Sequence, residues 1–218
     1  VNYPMDQFRK LTKIIMQSFK EVSMSSIDII HQFTGLSRKA RREGLLSLED
    51  DINGLEDAFL KKGLQMVVDG MEPETIREII ELEIGEMERR HGEGVAMLRA
   101  WGEYAPAFGM AGTLIGLIQM LGNLTDSSQI ASGMGKALIT TFYGSLLANI
   151  IFNPMAANLN LKSEQEVAKR EMMLEGILSI QSGVNPRIVE EKLVSYLSPD
   201  ERKEYVKTAE AEGVTENV

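Results

Sequence analysis

The side chains that could do chemistry in this sequence are few, and most of them fail a spacing test. His31 and His91 are the only histidines and there is no cysteine, so the usual zinc donor sets are out of reach. Both histidines read as ordinary helix residues, and thiolate chemistry is excluded. Gly133-Met134-Gly135-Lys136 has part of a phosphate loop but lacks its spacing and the Ser or Thr after the lysine. Glu49-Asp50-Asp51-Ile52-Asn53-Gly54 opens like a calcium loop, yet the twelfth position is Leu60, where a bidentate acid is needed. Asn123-Leu124-Thr125 spells a glycosylation sequon with nothing else to support it. No metal or cofactor site emerges from these residues. What remains is a set of neutral polar groups inside apolar sequence: Thr113, Thr140, Thr141, Asn149 and Asn153, with Pro106 and Pro154. Hydroxyls and carbonyls freed by proline can line an ion path. Such a path usually needs an ionisable group, and here a carboxylate would have to come from another chain. The competing reading has the hydroxyls bonded to their own helix backbone.

The elements that carry these residues are two uncharged runs, Tyr104 to Thr125 and Ala137 to Leu161. As helices they would be roughly 33 and 37 Å long, against a hydrocarbon core of roughly 30 Å. Core helices of soluble proteins are usually shorter and show a polar face, so these read as a transmembrane hairpin closed by a polar turn over Thr125 to Met134. Arg89, Arg90 and Arg99 precede it, and Lys162, Lys169 and Arg170 follow it. The positive-inside rule then puts both polar arms in the cytoplasm and the turn outside. Gly112 with Gly116, Ala105 with Gly109, and Gly144 with Ala148 are small-residue pairs one turn apart, which predict close helical neighbours from other chains. Pro106 and Pro154 fall near the cytoplasmic ends of the spans, at matching depth, as kinks or pivots.

The rest of the chain is amphipathic helix. Apolar residues at helical spacing run from Phe8 through Phe33, with a break near Ser23 to Ser26. Two helical pieces follow over Leu36 to Glu49, then Leu55 to Met71, closed by Asp69-Gly70. Pro73 and its neighbouring acids open a helix that heads through Ile76, Ile80, Ile84 and Met87 to Arg99. The second span continues as one long helix to Gln181, Asn185-Pro186 starts a short helix, and Ser198-Pro199 starts the last. No period-2 strand pattern, repeat or linker appears. The predicted class is an all-α integral membrane protein. Its parts are a helical cytoplasmic domain (1–100), a transmembrane hairpin (101–161), cytoplasmic helices (162–211) and a disordered tail (212–218).

Composition narrows the function. The 218 residues are 44% hydrophobic and carry a formal net charge of −9. That balance, broken only by Arg38-Lys39-Ala40-Arg41-Arg42, argues against nucleic-acid binding. No constellation supports an enzyme.

Four blocks carry a resemblance. They are Ala105 to Leu117 (APAFGMAGTLIGL), Thr140 to Gly144 with Asn153-Pro154, Arg41 to Glu49 (RREGLLSLE), and Leu60 to Gly70 (LKKGLQMVVDG). Together they resemble the MotA family, ion-channel A subunits of the bacterial flagellar stator. The resemblance implies four transmembrane helices, of which residues 104–161 would be the third and fourth, so a chain starting at Val1 would lack the first two. It implies a homo-oligomeric ring, a pentamer, in the bacterial inner membrane around two MotB-like B-subunit helices that supply the ion-accepting aspartate. Thr113, Thr141, Pro106 and Pro154 match the family's ion-path residues, and Arg41 and Glu49 match the charged pair that meets the rotor protein FliG. Proton or sodium coupling is left open by Thr113. TolQ and ExbB subunits share the Ala-Pro-x-x-Gly and Gly-Thr elements and are the alternative, and a non-coupled helical membrane scaffold is a second one. The Arg41 to Glu49 block and Asn153-Pro154 favour the stator reading.

Overall fold

The computed structural model describes residues 25–122 and 127–211, and among them there are helices and no strand. Two compact units divide them: one holds residues 25–87 and 164–211, the other residues 88–122 and 127–163. Two long helices contribute to both.

The first unit is built from short helices with well-marked ends. α1 (Ser26–Glu43) starts where the Ser25 hydroxyl accepts from the Ile27 amide at 3.3 Å. It stops at Gly44, whose φ of 91° is open to glycine and strained for other residues. A 3-10 turn (Leu45–Leu48) and the short α2 (Glu49–Asn53) follow. α3 (Ala58–Val68) is capped by Asp57, which accepts from the Phe59 and Leu60 amides at 2.9 Å. Gly70 at φ 74° then ends it in a Schellman pattern, with the Met71 amide donating to Met66 O at 3.1 Å. Pro73 opens α4 (Pro73–Leu121), a single helix of 49 residues.

The unit is completed by the C-terminal part of α6 (Asn153–Gln181), by α7 (Pro186–Val194) and by α8 (Pro199–Ala211). Asn185 caps α7 by accepting from the Arg187 amide at 3.1 Å. Ser198 and Glu201 form a reciprocal capping box: the Ser198 amide donates to Glu201 at 2.9 Å and the Glu201 amide to the Ser198 hydroxyl at 3.3 Å. Glu201 also accepts from the Ser26 hydroxyl at 3.0 Å, which ties the start of α8 to the start of α1. These donors, those of Ser198 foremost, hold the Glu201 carboxyl below its ordinary pKa. The interior is one cluster of large side chains, including Ile29, Phe33, Leu48, Leu60, Leu64, Ile76, Ile80 and Ile177. Two glycines let it close: a Cβ on Gly176 would lie 2.6 Å from the Phe33 ring, and one on Gly63 would lie 2.3 Å from Ile177 Cδ1.

The second unit is the hairpin. α5 (Ser127–Leu146) runs into a π-helical stretch (Leu147–Phe152) and then into α6, so the second span and its extension are continuous. Below the spans, Val95, Met97, Leu98, Ala156 and Leu159 form a small core, edged by Trp101 and Phe152 in a T-shaped contact at 5.4 Å. His91 Nδ1 lies 3.1 Å from the Ser163 hydroxyl, in keeping with an ordinary helix residue.

Some expectations need correction. The ten-residue polar turn is not a turn throughout, because α5 is already helical from Ser127. Residues 123–126 lie outside the described residues. The two helical pieces expected over Leu36 to Glu49 are present, divided at Gly44, so Arg41 lies on α1 and Glu49 on α2. The break near Ser23 to Ser26 matches the start of α1; the part of that predicted helix before Ser25, and the tail 212–218, lie outside the described residues.

Candidate functional site

The two spans touch through small residues, and the glycines read out their register. A Cβ on Gly102 would fall 2.2 Å from Asn153 Oδ1, one on Gly144 would fall 2.6 Å from Ala105 O, and one on Gly109 would fall 2.9 Å from Thr140 O. Further along, Gly112 meets Thr140 Cβ at 2.9 Å, Gly116 meets Ala137 Cβ at 3.0 Å, and Gly133 meets Met120 Cβ at 3.0 Å. The partners step backward along one helix as they step forward along the other, as an antiparallel pair requires. This corrects the expectation that other chains cover Gly112, Gly116 and Gly144: each is covered by the other helix of the same hairpin. The ladder also corrects the prolines. Pro106 follows Ala105, which faces Gly144 on α5, whereas Pro154 follows Asn153, which faces Gly102, about one turn nearer Arg99.

Close backbone approach brings three hydroxyls together at the middle of the seam. Thr113 Oγ1 is 3.1 Å from Gly109 O, 2.9 Å from Ala137 O and 3.4 Å from Thr140 Oγ1, and it touches Thr141 Oγ1. Thr140 donates to Ala137 O at 2.8 Å, and Thr141 reaches Gly109 O at 3.5 Å. The site therefore needs glycine at 109 twice, once for space and once for a carbonyl shared by both helices. Each hydroxyl has one proton and two lone pairs. With Gly109 O and Ala137 O available as acceptors, the protons are absorbed within the cluster and hydroxyl lone pairs are left over. Such a cluster favours a cation or a proton donor over an anion. Part of the competing reading is thus correct, since the threonines do bond backbone, but they bond across the two helices as well as along their own.

Pro106 removes the amide that Gly102 O would accept from, and Pro154 does the same for Ile150 O. At the second site the helix responds by widening. The last amide before Pro154, that of Asn153, donates five residues back to Ala148 O. A π turn of this kind is a frequent mark of functional sites. Within that π-helical stretch, Asn149 Nδ2 donates to Ser145 O at 3.0 Å on the exposed side.

Around the seam the large side chains point away. Phe108, Leu114, Ile118, Leu138, Phe142 and Ile150 are all exposed, and only 6% and 17% of the most apolar windows of the two long helices are buried. A soluble core helix would show the reverse. Both helices are long and apolar enough to cross a membrane.

The second predicted site lies in the other unit. Arg41 and Glu49 are both exposed, on either side of the corner made by Gly44 and the 3-10 turn. Lys39 and Asp51 clamp that corner through an ion pair of 2.6 Å. The hydrogen bond to Asp51 raises the Lys39 pKa above its ordinary value.

The carbonyls of Gly109 and Ala137 and the π turn were not among the sequence-predicted site residues, and Thr140 was named among the polar groups of the spans without being matched to the ion path. Thr140 had a visible signal, adjacency to Thr141. The carbonyls had none, because side-chain types do not report which backbone oxygens an approach of two helices exposes.

Comparison with known proteins identifies the family of the chain. The description of the MotA/TolQ/ExbB proton channel family matches residues 51–172. The chain is 47% identical to the motility protein A of Borreliella burgdorferi over 85% of this chain and 72% of that protein. It is 37% identical to the chemotaxis protein PomA of Vibrio alginolyticus over 93% of this chain and 79% of that one. Among solved structures it is similar to the flagellar MotAB stator complex from Bacillus subtilis, with a TM-score of 0.87 and 37% identity, covering 93% of this chain and 80% of that chain.

Proposed function

Because the chain belongs to the MotA/TolQ/ExbB proton channel family, we infer that it works as the A subunit of a flagellar stator, coupling ion flow to rotation of the flagellar rotor. The relatives named as motility proteins, at 47% and 37% identity, favour this over a TolQ- or ExbB-like role in envelope transport. The observation that carries the mechanism is the threonine cluster in a hairpin without carboxylates. Thr113 and Thr141 offer oxygens at the seam, with Thr140 beside them, while both spans lack any ionisable carboxylate. A B-subunit helix supplies the acid. Desolvation raises the pKa of a buried carboxylate, and hydroxyl lone pairs facing its protonated form or its bound cation favour ion occupancy, so the threonines tune ion affinity without being the titrating site.

Pro106 and Pro154 act as pivots at two heights of the hairpin, and the π turn above Pro154 gives the second span slack at one of them. The hairpin, residues 101–161, spans the bacterial inner membrane. Residues 1–100 and 162–211 are cytoplasmic, on the side marked by Arg89, Arg90, Arg99, Lys162, Lys169 and Arg170. The subunits form a ring of five around two B chains, and Arg41 and Glu49 meet FliG on the rotor.

Native mass spectrometry of the full-length A and B complex tests the assembly. A homo-oligomeric ring holding two B chains is expected, and a stable A monomer in mild detergent contradicts it. Charge reversal tests the rotor contact. Exposed ion pairs contribute about 0 to 1 kcal/mol each, so Arg41→Glu or Glu49→Lys alone weakens swimming partially and makes it more salt-sensitive. Unchanged swimming and recruitment in both variants would remove this pair from the interface.

A further inference from the structure

Leu46 stands in the middle of the corner between Arg41 and Glu49, and it is 73% exposed. Among the described residues of its unit, no large hydrophobic side chain is more open; Leu82, the next, is 64% exposed. The geometry of the turn forces this. A 3-10 helix repeats every three residues, so positions i and i+3 share a face. Leu45 and Leu48 are such a pair, and both pack into the core, Leu48 completely. Leu46 is left to point outward.

The turn is also held rigid. The Ser47 hydroxyl donates to Gly44 O at 2.7 Å, Gly44 holds a conformation that side chains rarely adopt, and the Lys39–Asp51 pair bridges α1 to α2. A side chain presented this way loses little conformational entropy when a partner covers it. Isolated exposed leucines are common and need no explanation. This one is fixed in place and flanked by exposed charge of both signs, basic at Arg41 and Arg42 and acidic at Glu49 and Asp50. An anionic lipid surface would be repelled by half of that rim. A protein surface with both signs would not.

We propose that Leu46 is the apolar anchor of the rotor contact, seated in an apolar pocket of the rotor-side protein whose rim carries an acid facing Arg41 and a base facing Glu49. The inference rests on the assignment of Arg41 and Glu49 to that contact.

The test uses tagged full-length stator complexes with the B subunit, scored for recruitment to motors in cells, for ion flux in vesicles and for ring assembly by native mass spectrometry. Leu46→Gln keeps the side-chain size but makes its end polar. It should lower recruitment about tenfold, the scale of a buried leucine's transfer from water, with flux and assembly unchanged. Leu46→Met should stay within about twofold of wild type. Full recruitment of Leu46→Gln beside reduced recruitment of Arg41→Glu would overturn the anchor and leave the charged contact standing. Full recruitment of both variants would overturn the rotor assignment together with the anchor. Loss of the ring in Leu46→Gln would place Leu46 between copies of this chain and overturn the proposal as well.

Discussion

In the unit of residues 25–87 and 164–211, Phe33, Leu60, Leu64, Ile76, Ile80 and Ile177 are enclosed, and charged side chains face out. In the hairpin the order is inverted. Gly109, Gly112, Gly116, Gly144 and Ala137 make the contact, and Phe108, Leu114, Ile118, Phe142 and Ile150 face out. The difference follows from the solvent each unit is built for. In water, enclosing large apolar side chains supplies the driving force, about 25 cal/mol per Å² removed from water. Lipid offers no such gain, so helices associate through close backbone packing and hydrogen bonds, which small residues permit. One result is functional: only a seam of glycines lets the carbonyls of Gly109 and Ala137 and the hydroxyls of three threonines meet at one place.

This contrast can be broken most severely in the hairpin. A Cβ at Gly144 meets the Ala105 carbonyl, part of the backbone, which cannot rotate away. Gly144→Val should abolish recovery of a complex with the B subunit in mild detergent. Gly135→Ala, with nothing within 4 Å of its Cβ position, should leave recovery at the wild-type level. Equal recovery of the two variants would mean that the seam does not hold the spans together.

The corresponding change in the other unit should be survivable. Gly176→Ala drives a methyl group against the Phe33 ring and should cost about 1 to 3 kcal/mol, the usual penalty of overpacking. Phe33→Leu in the same chain should recover part of it. Thermal unfolding of the full-length complex measures both, and a double variant no more stable than Gly176→Ala alone would dissociate the two residues.

A smaller effect separates the units by pH. Glu201 has a lowered pKa in the folded chain, so it binds protons less readily there than when unfolded. Its stabilisation is present above the unfolded value and is lost as pH falls through the folded one. Glu201→Gln should cost about 1 kcal/mol near neutral pH, the worth of a cap, and should flatten the loss of stability in acid. An unaltered acid profile in Glu201→Gln would show that the link from Ser198 through Glu201 to Ser26 contributes nothing.

Much of this was legible in the sequence, and the two units again differ in how. Helix ends were readable wherever a single residue sets the backbone: Gly70, Pro73, Pro186 and Ser198 all stand where their chemistry predicts. The spans were readable because lack of charge is a bulk property. What failed was anything depending on the distance between two segments. Gly112 and Gly116 announce a close neighbour without saying which helix it is, and the hairpin's own second helix turned out to be the one. The seam's register, the offset of Pro106 from Pro154 and the shared carbonyls all follow from that pairing. At the corner after α1, Gly44 decided the outcome: its positive φ ends α1 at Glu43 and divides the two helical pieces read over Leu36 to Glu49.

The central claim is that the hydroxyls at the glycine seam belong to the ion path and are not only packing groups. Ion flux through vesicles holding the full-length A and B subunits tests it most directly, with Thr141→Val, which keeps the shape and removes the hydroxyl. The ring should assemble as before while flux falls several-fold, and Thr113→Val should do the same because its oxygen lies in the same cluster. Wild-type flux in both variants, with intact rings, would contradict the account and leave the threonines as a hydrogen-bonded clasp between two helices.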